Sequence, residues 1–322
     1  MGEIRVDPLS GESVIFAPVR NDRPHSEASH GRVERECVFC PGHEDQTPHS
    51  VLELRMSEGA SWFVRVFPNL YPIVSSPMPR GGGSETSRPA LGVHEVVVET
   101  PQHEQEMSQR TPQQLFLTLK AYRERLTSLL ATGGIHYVAI FRNKGPRAGA
   151  SLGHPHSQIV ALHYTPRAVT QTVQRWRHHH ARTGSCLLCD ELQLECGAKS
   201  RIVLEQDGFI LYVPHGATMP AEMVLAPLRH QTSFAGADDE TLSRMSTVLL
   251  AALGRLHAAF DDPDYNLVLQ TWPRARQKDE WLHWYLRIIP RLAVLGGFEL
   301  STGDYVVTLT PEDAAAKYRE TQ

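Results

Sequence analysis

A Cys-x-x-Cys pair stands twice in the sequence, at Cys37/Cys40 and at Cys186/Cys189, and two histidines follow each pair at matched distances. In the first half they are His103 and His154; in the second they are His230 and His283. The interval between them is 51 residues in the first half and 53 in the second. An internal repeat constrains the fold more than any other feature here, because each copy has to be one supersecondary unit. The same element order fills both intervals. An amphipathic helix is expected over 112–132, capped by Thr111 and stopped by Gly133-Gly134, with Leu115, Leu119, Tyr122 and Leu126 on its apolar face. Its counterpart spans 239–260 with Leu242, Met245, Leu249, Leu253 and Leu256 as the stripe. Strands are expected at 135–141 and 156–162 in the first half and at 265–271 and 283–289 in the second. Further alternating stretches, 93–99 and 223–227, precede the central histidines. Two tandem α+β units follow, over 1–170 and 171–322.

The 322 residues are 41% hydrophobic and 21% charged, an ordinary globular composition. Seventeen histidines against five cysteines, four of them paired, favour metal binding over a disulfide framework. A net charge of −4, with no aromatic-basic interleaving near either cysteine pair, argues against a nucleic-acid partner. No apolar run approaches the roughly 18 residues a membrane helix needs. The segment Met1-Gly2-Glu3-Ile4-Arg5-Val6 has neither a signal-peptide stretch nor a myristoylation serine, so a cytoplasmic address is expected. Residues 75–92, rich in Gly and Pro, are expected to form a loop excursion. Residues 171–185, with His178-His179-His180, are expected to be a linker or a solvated helix face.

A closed structural zinc site takes four soft or borderline ligands. Cys37, Cys40, His103 and His154 offer one such set, and Cys186, Cys189, His230 and His283 a second. The alternative, buried cysteines with unrelated histidines, has to explain the coincidence twice. The segment Gly149-Ala150-Ser151-Leu152-Gly153-His154-Pro155-His156-Ser157-Gln158 is the sharpest feature. In an extended His-x-His, alternate side chains point the same way, with Pro155 stiffening the backbone between them. If His154 is held by metal, His156 sits beside a rigid anchor, and a neutral imidazole is a competent nucleophile toward phosphorus. Small residues upstream, in Asn143-Lys144-Gly145 and Gly149-Ala150-Ser151, allow phosphate oxygens to approach the backbone. On spacing alone, a joint metal pair or a core strand explains the two histidines equally well.

These motifs resemble the galactose-1-phosphate uridylyltransferase branch of the histidine-triad superfamily. The likeness extends to residues 7–12 and 17–24, to Cys37–Pro41, to Pro68-Asn69-Leu70-Tyr71-Pro72, and to Gly297-Phe298-Glu299 with the 311–315 segment. The resemblance implies an α+β fold of two tandem histidine-triad-like domains, antiparallel sheets with helices packed on one face. It implies His156 as the nucleophile that takes up a nucleoside monophosphate, with Gln158 and Ser151 bonding the phosphoryl oxygens. Arg20, Arg23, Asn69, Asn143, Gly149, Phe298 and Glu299 match substrate-binding positions, and the two Cys2His2 sets match zinc sites, with zinc or iron in the second. The implied partners are a nucleotide sugar, a sugar 1-phosphate and a second copy of the chain, in galactose metabolism. Where the second half should carry His-Pro-His it reads His283-Trp284-Tyr285, so one active centre per chain is expected.

The resemblance loosens in two places that bear on substrate. A lysine-containing hexose stretch is replaced by Leu292-Ala293-Val294-Leu295-Gly296, and Tyr305 is followed by Val306-Val307 rather than Ile-Asn. The second Cys2His2 set and His283-Trp284 resemble a plant ADP-glucose phosphorylase as much as the uridylyltransferases. Three readings follow. One is UMP transfer to a hexose 1-phosphate. The second is a phosphorylase or hydrolase of the same fold, separated from the first by whether phosphate or water replaces the acceptor. The third, a zinc-stabilised binding module, would hold nucleotide without a covalent adduct.

Overall fold

The computed structural model describes residues 2–6, 13–22, 37–75 and 87–321. The first half runs β1 (Glu3–Val6), β2 (Ser13–Phe16), β3 (Leu52–Leu54), β4 (Val64–Pro68), β5 (Ser87–Pro89), β6 (Gly92–Val98), α1 (Pro112–Ala131), β7 (Tyr137–Lys144) and β8 (His156–Leu162). The second half runs α2 (Arg167–Thr183), α3 (Leu187–Ala198), β9 (Ile202–Gln206), β10 (Phe209–Tyr212), β11 (Met223–Pro227), α4 (Asp239–Phe260), β12 (Tyr265–Gln270), β13 (Tyr285–Pro290), α5 (Gly297–Thr302) and α6 (Pro311–Glu320).

Ten strands form one sheet in the order β3-β4-β6-β8-β7-β12-β13-β11-β10-β9, every neighbouring pair antiparallel. The order reads alike from either edge once each strand is replaced by its repeat counterpart. The two copies therefore meet head to head at β7 and β12, about the pair Phe141↔Val268. A small sheet, β2-β1-β5, lies apart.

Both long helices pack on one face. Thr111 and Gln114 cap α1 reciprocally, Gln114 N donating to Thr111 Oγ1 and Thr111 N to Gln114 Oε1, and Pro112 occupies a first-turn position that needs no donor. Asp238 caps α4 by accepting from Thr241 N at 2.7 Å. Their stripes bury Leu115, Leu119, Tyr122 and Leu126 with Leu242, Met245, Leu249 and Leu253 against Ile140, Ile159, Leu267 and Ile288. Each such side chain contributes roughly 1.5–3 kcal/mol of transfer free energy.

Strand alternation sends the other side chains to the opposite face. Over the second half that face is covered by α2 and α3, where Val173, Trp176, Leu188 and Leu192 pack on Ile210, Tyr212, Val224 and Trp272. The 171–185 stretch is thus helical as far as Thr183, with a polar outer face and two buried anchors, Val173 and Trp176. The expected 75–92 excursion ends in regular structure, since Ser87–Pro89 pairs with β1 and Gly92 opens β6; residues 76–86 lie outside the described residues. Over the first half the same face carries a cleft.

Candidate active site and metal centres

Both Cys/His sets assemble. The donor atoms of Cys37, Cys40, His103 and His154 lie within 4.8 Å of one another, as do those of Cys186, Cys189, His230 and His283. His154 is fully buried and its Nε2 donates to Thr100 O at 2.8 Å, so Nδ1 carries the lone pair that faces the thiols of Cys37 and Cys40, each at 3.6 Å. Cys40 Sγ is 3.4 Å from His103 Nδ1, and Cys189 Sγ is 3.3 Å and 3.6 Å from Nδ1 of His230 and His283. Those separations match the roughly 3.5 Å edge of a tetrahedron with zinc-like bond lengths. Burial, with Cys37 close by, pushes the Cys40 thiol up to about 11, and burial with Cys186 pushes Cys189 up to about 12. Burial also lowers His154 to about 4 and His283 to about 3. The imidazoles are already in ligand form, and a divalent cation is what would turn the thiols into thiolates. Both donor sets fit a closed structural metal.

His156 opens β8 directly after this centre and is 8% exposed. Its Nδ1 lies 2.8 Å from His154 O. A carbonyl only accepts, so Nδ1 bears the proton and Nε2 the lone pair, the form a nucleophile requires. The ring is steadied by Phe39, edge-on at 5.5 Å between centroids. It borders a cleft of about 190 Å³ lined by Arg20, Val38, Phe39, Gln46, Thr47, Phe67, Asn69, Leu70, Tyr71, Val96, Ser151, Leu152, His156 and Gln158. The lining thus combines apolar and aromatic side chains with the polar groups of Arg20, Gln46, Thr47, Asn69, Ser151 and Gln158. Arg20 donates through Nη1 to Tyr71 O at 2.8 Å, and Asn69 Oδ1 accepts from Tyr71 N at 2.8 Å.

Asn143 and Gly149 lie beside this cleft rather than in its wall. Asn143 Nδ2 donates to Gly149 O at 3.4 Å. The loop between them rests on the second half. Asn266 on β12 donates to Asn143 Oδ1 at 2.8 Å and to Ala148 O at 2.9 Å, and Arg147 N donates to Asp264 Oδ2 at 2.7 Å. Gly145 has φ +81°, and a Cβ there would sit 1.8 Å from Asp264 Oδ1. Phe298 and Glu299 are not brought to this cleft within one chain: Phe298 is 55% exposed on α5, and Glu299 accepts from Gly296 N. Arg23 lies outside the described residues.

Behind β8, on the helix face, Ser157 points at a buried charge network that sequence reasoning missed. Fully buried Glu99 accepts from Arg110 at 3.0 Å, Arg142 at 3.2 Å, Tyr122 at 3.2 Å, and from Ser157. The second half's counterpart of the cleft is filled. Tyr285, which stands where His156 stands in the first half, stacks on Trp176 of α2 with ring planes 6° apart.

A duplicated antiparallel fold thus sets a tautomer-fixed histidine between a Cys2His2 donor set and a cleft with polar and apolar lining. Residues 1–166 match the family described as galactose-1-phosphate uridyl transferase, N-terminal domain, and residues 106–320 match a domain of unknown function, DUF4921. An ADP-glucose phosphorylase of Arabidopsis thaliana is 32% identical, over 99% of this chain and 92% of its own. A galactose-1-phosphate uridylyltransferase of Thermotoga maritima is 25% identical over 100% and 99%. Among solved structures, the Arabidopsis thaliana ADP-glucose phosphorylase with bound ADP-glucose superimposes with a TM-score of 0.81 at 30% identity over all of both chains. A uridylyltransferase superimposes at 0.84 with 29% identity over 99% and 98%. The chain belongs to the galactose-1-phosphate uridyl transferase family and is an enzyme of nucleotidyl transfer.

Proposed function

We propose that His156 Nε2 attacks the α-phosphorus of a nucleoside diphosphate sugar, with UDP-glucose as donor and a hexose 1-phosphate as acceptor. The N–P bond forms as the bond from the α-phosphorus to the bridging oxygen breaks, and sugar 1-phosphate leaves with that electron pair. In the second step an acceptor phosphate oxygen attacks the same phosphorus and the imidazole recovers its pair, so the kinetics are ping-pong. Gln158 and Ser151 donate to the phosphoryl oxygens as charge moves onto them, while Arg20 and Asn69 hold the nucleotide side and Asn143 the departing sugar phosphate. The observation that carries this reading is the Nδ1 hydrogen bond of His156 to His154 O, which leaves Nε2 as the unprotonated nitrogen of a ring that lines the cleft.

A second reading keeps the first step but uses ADP-glucose and inorganic phosphate. It is favoured by the 32% identity to the ADP-glucose phosphorylase, against 25% to the Thermotoga maritima uridylyltransferase. Intact-protein mass spectrometry at neutral pH separates the two. A UMP-sized adduct discharged by galactose 1-phosphate supports the first, an AMP-sized adduct discharged by phosphate supports the second, and neither adduct refutes both. His156→Ala abolishes the adduct while leaving the fold intact.

The proposal extends to zinc in both Cys2His2 sets, to a reducing, cytoplasmic setting that keeps four thiols available, and to a homodimer. The dimer is suggested by the exposed apolar run Val294 (82%), Phe298 (55%) and Leu300 (76%), which would bring Phe298 and Glu299 to a partner's cleft. Sedimentation velocity tests it, and a monomer at micromolar concentration overturns it.

A further inference from the structure

His94, on β6, sits next to the cleft-lining Gln158 and is 3% exposed. It pairs with Val160 and so lies diagonal to Gln158, on the same face of the sheet. Its two ring nitrogens have different partners. Ile73 N is 3.2 Å from Nδ1. A backbone N–H can only donate, so Nδ1 accepts and the proton of the neutral ring sits on Nε2. That nitrogen is 3.0 Å from Gln158 Oε1. Asn69 Nδ2 is also near Nε2, at 3.3 Å, but Asn69 Oδ1 is committed to Tyr71 N, which leaves Gln158 Oε1 as the acceptor for the His94 proton. Burial, aided by the charge of Arg20, lowers His94 to about 4, so the ring stays neutral.

A glutamine amide has a donor end and an acceptor end that differ little in shape, and a half-turn exchanges them. In the flipped state Gln158 would turn a carbonyl oxygen toward phosphoryl oxygens, replacing an attraction with a repulsion. We propose that His94 is a positioning residue, which pins Gln158 Oε1 on the wall side and thereby aims the Gln158 amide protons into the cleft at the phosphoryl group. The 69–73 turn completes the clamp, since Asn69 N donates to His94 O at 2.8 Å while Ile73 N donates to the ring. This role rests on the nucleotidyl transfer proposed at His156.

The test is the rate of adduct formation in single turnovers of the metal-loaded full chain, using whichever of UDP-glucose and ADP-glucose labels it. His94→Phe removes the donor and keeps a ring. It should slow labelling about tenfold to a hundredfold, as expected for a mis-set oxyanion donor, with less than threefold change in the substrate concentration at half-maximal rate. In a Gln158→Ala background the same change should cost nothing further. An equal slowing in both backgrounds, or no slowing in either, overturns the proposal. Nitrogen-15 NMR of the wild-type imidazoles supplies a readout independent of turnover and of the variant's folding. A His94 proton on Nε2 with a bare Nδ1 is expected, and a proton on Nδ1 overturns the assignment. A wild-type chain that takes no label refutes the nucleotidyl reading instead, and the tautomer then decides the clamp alone.

Discussion

Glu99→Gln tests the buried network behind β8. Glu99 is fully buried, and burial alone would raise its pKa. Arg142, Arg110 and the Ser157 hydroxyl more than reverse that and hold it at about 2, against an ordinary 4.5. At about 1.4 kcal/mol per unit, the depression corresponds to about 3 kcal/mol of stability. Removing the charge also strands Arg110, whereas Arg142 keeps Glu106 at 2.6 Å. The expected loss at pH 7 is therefore about 3–5 kcal/mol, the range for a broken buried pair. The sign of the pH dependence follows from the depressed folded pKa. The Glu99 contribution is complete above about 4.5 and is lost as pH falls toward 2, so the gap between wild type and variant should narrow by about 1.4 kcal/mol per unit below 4.5. Urea unfolding of both proteins at pH 7, 5, 4 and 3.5, with metal content held equal, measures this. A variant within 1 kcal/mol of wild type at pH 7, or a gap that stays constant down to pH 3.5, would show that Glu99 is not a working countercharge.

Other perturbations give separate signatures. Cys37→Ala should remove one metal equivalent per chain by mass spectrometry and lower Tm, while His156→Ala should do neither; equal metal content in Cys37→Ala and wild type would contradict the first centre. Asn266→Ala deletes two donated hydrogen bonds, each about 0.5–1.5 kcal/mol, and should raise amide exchange at 145–150; unchanged exchange there would mean β12 does not hold the loop. Gly145→Ala meets both a positive φ with extended ψ, a region essentially confined to glycine and costing about 1–3 kcal/mol, and the Asp264 carboxylate at 1.8 Å. It should cut labelling at least tenfold with metal content intact, and wild-type labelling would refute that.

Elements with a one-sided pattern and clear punctuation were legible in the sequence. The helix expected at 239–260 is α4 to the residue, and the strand expected at 156–162 is β8. The strand expected at 135–141 instead runs Tyr137–Lys144. Arg142-Asn143-Lys144 looks like the start of a loop, but it is held by pairing with β12 and by Glu99 and Glu106, and neither partner shows in local periodicity. The helical 171–185 stretch was half hidden, because Val173 and Trp176 are its only buried anchors in a polar run. Both Cys/His sets were readable, since ligand chemistry carries its own spacing. His94 was not: it sat in a strand of known alternation, yet its partner Gln158 lies on another strand, and register between distant segments leaves no mark on either. Phe298 and Glu299 were matched by likeness of sequence, which says nothing about where they stand, and within one chain they do not line the cleft.

The pairing of β7 with β12 binds the fate of the two copies together. A fragment stopping near residue 166 would turn a middle strand into a bare edge, an invitation to self-association, and would strip the Gly145–Gly149 loop of Asp264 and Asn266. The second copy thus serves as the wall the first is built against. Trp176 and Tyr285 fill its own counterpart of the cleft, while its central strand holds a loop that belongs to the other half.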